Sequence, residues 1–392
     1  MLMRIVNKFK RIVCAHSLAL QKEDYEYLID RYVNHAIPFY MEFNFNSLKK
    51  TTLSYVRKQR INETNEFLYS DSCNQPCIYN TCYAILTYSL FNEPLWSKNE
   101  EIKQYLDSFQ QPDGFFVDSR ISNSPYFPDG DWWGKKHLLP HVLMCYRAIG
   151  ERPKYQLDFL EKIYDLDYFK TFCDALNFDD KTKDDDNKVM NIGCALQFQR
   201  DFFNDSRAEK SLDYLYNYLN GLINNITGSW GNIDISDVNE LSRVQQVAYH
   251  LYILYLYDKK EIQYREKIID LNLKLQSKFG AYNAGLIGSA CTDIDVVFLF
   301  SELLKQTDYR KEDIIMSLKK ALPWVLSNQN DDGGYVFRRN ESFEYGSPLM
   351  FSKKNESNLF ATWFRSACIA YICNSLNIDN EFKFIDSPGY QY

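Results

Sequence analysis

Apolar residues recur along the chain at three- and four-residue spacing, in long runs separated by short polar turns, a pattern that predicts helices. The runs are of two kinds. Glu161 to Leu176, Ala208 to Ile223, Glu261 to Leu275 and Glu312 to Ser327 interleave charges with apolar positions, so each has one wet face. Tyr79 to Phe91, His137 to Ile149, Val189 to Phe203, Val244 to Tyr257, Ile294 to Leu304 and Leu359 to Leu376 are apolar nearly all round, as expected of helices buried on every side.

The turns between the two kinds repeat. Gln329 to Tyr335 reads QNDDGGY, Gln276 to Tyr282 reads QSKFGAY, Asn225 to Trp230 reads NITGSW and Gln111 to Phe116 reads QPDGFF. Each is an amide, a short gap, a glycine, any residue and an aromatic. The glycines at 114, 228, 280 and 333 are 114, 52 and 53 residues apart, which leaves room for one more unit in the widest gap. That unit is expected to turn at Asn177 to Asp180, without glycine, and a sixth near Tyr69 to Asp71. Glycine suits a left-handed position at the end of an outer helix, the amide can bond helix-end groups, and the aromatic can fill the gap between units. Two-helix units of this length stack into a solenoid or close into a ring, and six favour closure.

These repeats resemble the so-called QW repeats of squalene-hopene cyclases and their relatives, over most of residues 65 to 380. The resemblance implies an all-α (α/α)6 toroid of six helical hairpins, a ring shared with protein prenyltransferase β subunits. It also implies acid-initiated cyclisation of an isoprenoid, an isomerase chemistry. In that family an Asp-x-Asp-Asp motif protonates an alkene or epoxide through its middle acid. Asp293 and Asp295 match the first two acids, and Val296 stands in place of the last. The resemblance thus assigns Asp295 as proton donor and Asp293 as its hydrogen-bond partner. Toroids also host carbohydrate-active enzymes, where two carboxylates such as Asp131 and Asp295 would flank a glycosidic bond. A non-catalytic ring binding a lipid or protein is the third possibility.

Composition narrows the field. With 392 residues, 45% hydrophobic and 16% aromatic, the chain can bury a large core lined by rings. We divide it into an N-terminal helical segment, 1–64, packing on the ring, and the toroid, 65–392. A net charge of -7 without a basic cluster argues against nucleic acid. Ten scattered cysteines fit a reducing cytosol. The first 20 residues mix apolar and basic side chains, so they suit an amphipathic helix on the body or peripheral membrane contact, and no segment is apolar enough to span a membrane.

Candidate chemistry is placed where the inner helices begin, because their N-termini converge on one mouth and favour negative charge. Besides Asp293 and Asp295, which also read as helix caps, the loop FPDGDWWGKKHLLPH supplies Asp131, Trp132 and Trp133 for a sugar face or a cation. His137 and His141 follow at i, i+4, a metal pair or buried histidines. The acid run Asp184 to Asp186 reads as a solvated cap, and Asn187 beside it as the pocket residue. Arg243, Gln246 and His250, with Asn239 and Tyr249, lie at helical spacing among large apolar residues and are candidates for binding substrate oxygens. Trp363 and Arg365 sit inside an apolar helix, where the arginine needs a carboxylate such as Asp293 or Asp295, or a bound anion. The expected ligand is a small hydrophobic or amphiphilic substrate. No cofactor or metal is expected, with Mg²⁺ entering only for a diphosphate substrate. Cys291, Asp293 and His250 are at best a loose counterpart of a prenyltransferase zinc set.

Overall fold

The computed structural model describes residues 22–122, 132–180, 183–232, 234–283 and 287–390. Among them, six inner helices alternate with six outer ones. The inner helices are Ile78–Leu90, Leu138–Ala148, Asp185–Phe203, Val238–Tyr257, Ala290–Gln306 and Leu359–Leu376. The outer helices are Phe45–Lys58, Asn99–Asp107, Leu166–Asp174, Ser206–Leu222, Arg265–Leu275 and Lys311–Leu326. Each inner helix packs on the next, and the sixth packs on the first, which closes the ring. Burial follows the two sequence patterns. Every residue from Leu359 to Cys373 of the sixth inner helix is buried, whereas the fourth outer helix buries only a stripe, Ala208, Ser211, Leu212, Leu215, Tyr216 and Leu219.

The repeated turns join neighbouring hairpins. Pairing of Gln110 with Phe116, Ile223 with Trp230, Gln276 with Tyr282 and Gln329 with Tyr335 closes four of them alike. At Gly333 φ is +89°, and a Cβ there would strike the carbonyl oxygen of Thr51 in the first outer helix. Gly280 stands in the same relation to Lys320 of the next outer helix. Glycine is therefore needed for close approach between units as well as for its backbone angle. The amides span the same joint: Gln276 Nε2 donates to Ser317 O at 2.8 Å, and Gln329 Nε2 reaches Thr51 Oγ1 at 3.4 Å and Thr52 Oγ1 at 3.3 Å.

One expected turn and one expected helix differ. The first repeat turn lies at Arg60 to Phe67, which pair, rather than near Tyr69 to Asp71. The run from Glu161 is broken at Asp165, whose carboxylate accepts the N–H groups of Asp167 and Tyr168 and starts a separate helix. Residues 22–41 form a helical segment on the last outer helix.

Two irregular segments finish the ring. A short hairpin of β1 (Phe343–Glu344) and β2 (Phe351–Ser352) lies near the start of the sixth inner helix, where Tyr345 stacks on Phe360 at 4.2 Å. At the opposite end, residues 378–390 run without regular structure across the C-termini of the inner helices. The Lys383 N–H donates to Leu90 O at 2.8 Å, Phe382 packs on Phe45 and Phe91, and Phe384 stacks on Tyr371 at 4.5 Å. The segment then turns inward, so that the buried ring of Tyr390 lies among the inner helices.

Candidate active site in the bore of the ring

The third inner helix begins with a left-handed residue, Asp184, at φ 47°, followed by Asp185 and Asp186 in its first turn. Asp186 is fully buried. Its Oδ1 accepts from Arg243 Nη2 at 2.6 Å, and its Oδ2 from His250 Nδ1 at 2.7 Å and Arg243 Nη1 at 3.2 Å. Arg243 and His250 are seven residues apart on the fourth inner helix, hence on one face. Gln246 Oε1 accepts from Arg243 Nη1 at 3.0 Å. Burial alone would raise the Asp186 carboxyl, but the hydrogen bond from His250 and the charge and hydrogen bonds of Arg243 outweigh it and hold Asp186 far below the usual carboxylate range. An ionised Asp186 only accepts, so His250 carries a proton on Nδ1 and, when neutral, presents a bare Nε2.

The fifth inner helix is capped by Ser289, which forms a reciprocal capping box with Thr292. Asp293, one residue on, accepts the Tyr282 N–H at 2.9 Å, Trp324 Nε1 at 2.8 Å and Arg365 Nη1 at 3.0 Å. Arg365 is wholly buried, and Nε and Nη2 donate to the carbonyls of Val336 at 2.9 Å, Phe337 at 2.8 Å and Gly288 at 3.3 Å. This clasp ties the last two repeats together and engages all three guanidinium nitrogens.

Asp295, on the same helix, is 2% exposed, and its Oδ1 has no hydrogen-bond partner. Burial, with the negative charges of Asp186 and Asp293 nearby, pushes its carboxyl well above the ordinary value. Two aspartates near one another are thus driven in opposite directions, Asp295 towards the protonated acid and Asp186 towards the carboxylate.

The inside of the ring is also lined with aromatic side chains. His137 is held between Tyr79 OH, 2.9 Å from Nδ1, and Tyr345 OH, 3.1 Å from Nε2. Burial keeps both His137 and His141 below the ordinary histidine range, His141 at about 4. Trp363 is buried against Tyr83, 5.7 Å away and nearly parallel. By contrast, the wide surface clefts, of about 580 and 610 Å³, lie outside the ring, and their acids Glu42, Asp331 and Asp179 are exposed.

The structure therefore brings Arg243, Gln246 and His250 together around Asp186, and buries Asp295, His137 and Trp363 on other inner helices of the ring. Arg365 and Asp293 pair with each other at the joint. Reading the acid run as solvated is corrected: Asp186 is buried on Arg243 and His250, while Asp185 is buried because it accepts the Asn177 N–H at 2.8 Å and binds Lys188 at 2.7 Å. Asn187 is half-buried at the rim. Asp131 and the side chains of Trp132 and Trp133 lie outside the described residues, as do residues 1–20. Among the described residues no three His, Cys, Asp or Glu side chains cluster as a metal site, and no helix is long and apolar enough to cross a membrane. The sequence reading misses that Asp186 is the buried partner of Arg243 and His250. The only signal for Asp186 was an arginine and a histidine at i, i+7 on an apolar helix, which need a buried acid.

No protein-family profile matches the chain, and no curated protein does. Solved structures do. A mutant of unsaturated glucuronyl hydrolase from Streptococcus agalactiae is 13% identical, with 94% of this chain and 98% of that one covered and a TM-score of 0.51. A further structure of that hydrolase gives 12% identity, 93% and 98% coverage and 0.47, and a protein from Actinoplanes gives 11%, 85% and 100%, and 0.48. The likeness is one of fold. It agrees with the closed ring of six hairpins, an α/α toroid, and terpenoid cyclases are not among these matches.

Proposed function

We propose that the chain is a carbohydrate-active toroid enzyme that hydrolyses a glycosidic bond. Asp295 is the general acid: protonated in its buried site, it gives its proton to the leaving oxygen as the bond to the sugar carbon breaks. Asp186 stays ionised, orients His250 through Nδ1 and opposes the positive charge that develops on the sugar. His250 Nε2 takes the proton of the attacking water, whose oxygen forms the new bond. The observation that carries this reading is the opposed pair of buried aspartates, since environments that drive two acids apart separate donor from acceptor. The likeness to a hydrolase acting on a glucuronyl group is consistent with it as fold analogy only.

Acid-initiated cyclisation has one observation in its favour, a buried neutral acid near aromatic rings. Against it stand the unpartnered polar atoms of the bore, which an isoprenoid would leave unsatisfied. The deciding experiment is incubation with an oligosaccharide panel beside squalene and linear prenyl diphosphates, following reducing ends and cyclised products. Sugars are cleaved, and Asp295→Asn and Asp186→Asn each lose on the order of 10³-fold in kcat/KM. Cyclised products with intact sugars overturn the proposal.

A further inference from the structure

Five of the six inner helices each leave a polar atom unpartnered inside the ring. They are Tyr83 OH on the first, His141 Nε2 on the second, both amide atoms of Asn191 on the third, Tyr249 OH on the fourth and Asp295 Oδ1 on the fifth. None of these residues is more than 2% exposed. An unsatisfied buried polar group costs about 1–3 kcal/mol, so groups left open on five helices of one ring point to something that completes them.

Three of them, His141, Tyr249 and Asp295, lie around one side chain, and Tyr83 packs on His141 at 5.7 Å. The ring of Tyr390 lies 5.1 Å from His141 and 6.5 Å from Tyr249, is flanked by Phe364 at 5.7 Å and Trp363 at 6.2 Å, and its phenol is pushed up by burial and by the nearness of Cys194 and Asp295. Asn191 shares the Cys194 face of its helix, three residues away. Tyr390 comes from the irregular segment 378–390, and every other group named here is on an inner helix.

We propose that the bore beneath Asp295 is a subsite for an uncharged, hydroxylated sugar ring, and that the phenol of Tyr390 holds its place until the sugar displaces it. This deepens the glycosidase reading and rests on it for the ligand class. Amide, phenols and a carboxylic acid each both donate and accept, which matches sugar hydroxyls. The flanking Trp363 and Phe364 suit the apolar face of a pyranose. Charge selects the neutral sugar. Burial keeps His141 and Asp295 uncharged, Arg365 is consumed by Asp293 and three carbonyls, and Arg243 is engaged by Asp186 and Gln246. None of these groups remains to neutralise a uronate carboxylate, whose burial without a cation is costly. Displacement is local, because the segment around Tyr390 belongs to no helix or sheet.

The test is a binding titration with methyl β-glucoside and methyl β-glucuronide, which differ in the carboxylate, on the parent, Tyr390→Ala and Tyr390→Phe. Tyr390→Ala binds the glucoside at least about tenfold more tightly than the parent does, because the competing phenol is gone, and Tyr390→Phe, which keeps the ring, does not gain. Adding Asn191→Ala removes the gain. Equal affinity in parent and Tyr390→Ala, or a preference for the glucuronide, overturns the proposal. Should Tyr390→Ala not fold, radical footprinting of the parent chain decides: the glucoside increases labelling of Tyr390, and unchanged labelling at saturating glucoside overturns the proposal. Neither readout needs turnover. A chain that binds the glucoside but cleaves no glycan sinks the hydrolase reading and keeps this one, whereas cleavage with Tyr390 still protected sinks this one.

Discussion

Asp293 and Asp295 stand two residues apart on one helix, both buried, in opposite circumstances. Asp293 meets three donors, one of them charged, and holds a joint between repeats. Asp295 meets none at Oδ1 and faces the negative charges of its neighbours. The same contrast runs through the molecule. Joints are closed by glycines against carbonyls and by amides that bridge neighbouring units, while the bore keeps a set of polar atoms unspent on facing helices. Buried polar groups that are satisfied hold a structure together; those left unsatisfied point to function.

The largest effect is expected at the joint. Arg365→Leu leaves the Asp293 charge buried without its cation and lowers unfolding free energy by about 3–5 kcal/mol in a urea titration. A loss below about 1 kcal/mol would erase the distinction between joint and bore. Next comes Gly333→Ala, where collision with Thr51 O adds to a left-handed backbone, for a loss of about 2–3 kcal/mol. Gly150, also at positive φ but with open space around it, is the control, and its alanine variant loses about 1 kcal/mol.

The bore responds in the other direction. Above the ordinary carboxylate value of 3.8, an unfolded chain releases the Asp295 proton while the native one keeps it, so this residue makes stability fall as pH rises towards its raised native value. Asp295→Asn removes that slope and gains about 1–2 kcal/mol at neutral pH, with the gain gone below about pH 4. Thermal melts across pH check it, and a variant destabilised at neutral pH contradicts it. The smallest effect is at Tyr249→Phe, which deletes an unpartnered hydroxyl and changes stability by no more than about 1 kcal/mol, as a gain.

Much of the ring was legible because its signals are local. Apolar period, the amide-glycine-aromatic turn and its spacing lie within single repeats and give both rows of helices. The glycine's second reason, contact with the next outer helix, is a tertiary fact that only the closed ring displays. The site was read in part. Arg243, His250 and Asp295 stand out as costly residues in apolar helices, but the partners of Asp186 lie 57 and 64 residues away, so its acid run looks like an ordinary solvated cap. Nothing local distinguishes Tyr83 or Asn191 from core residues, or shows that an irregular segment carries Tyr390 into the bore.

The central claim is that Asp295 is a neutral acid beside an ionised Asp186. Infrared difference spectroscopy tests it without a substrate, by comparing the parent with Asp295→Asn at neutral pH. The account predicts a protonated-carboxyl band in the parent that vanishes in Asp295→Asn and persists in Asp186→Asn. No such band in the parent, or one that survives in Asp295→Asn, would contradict it.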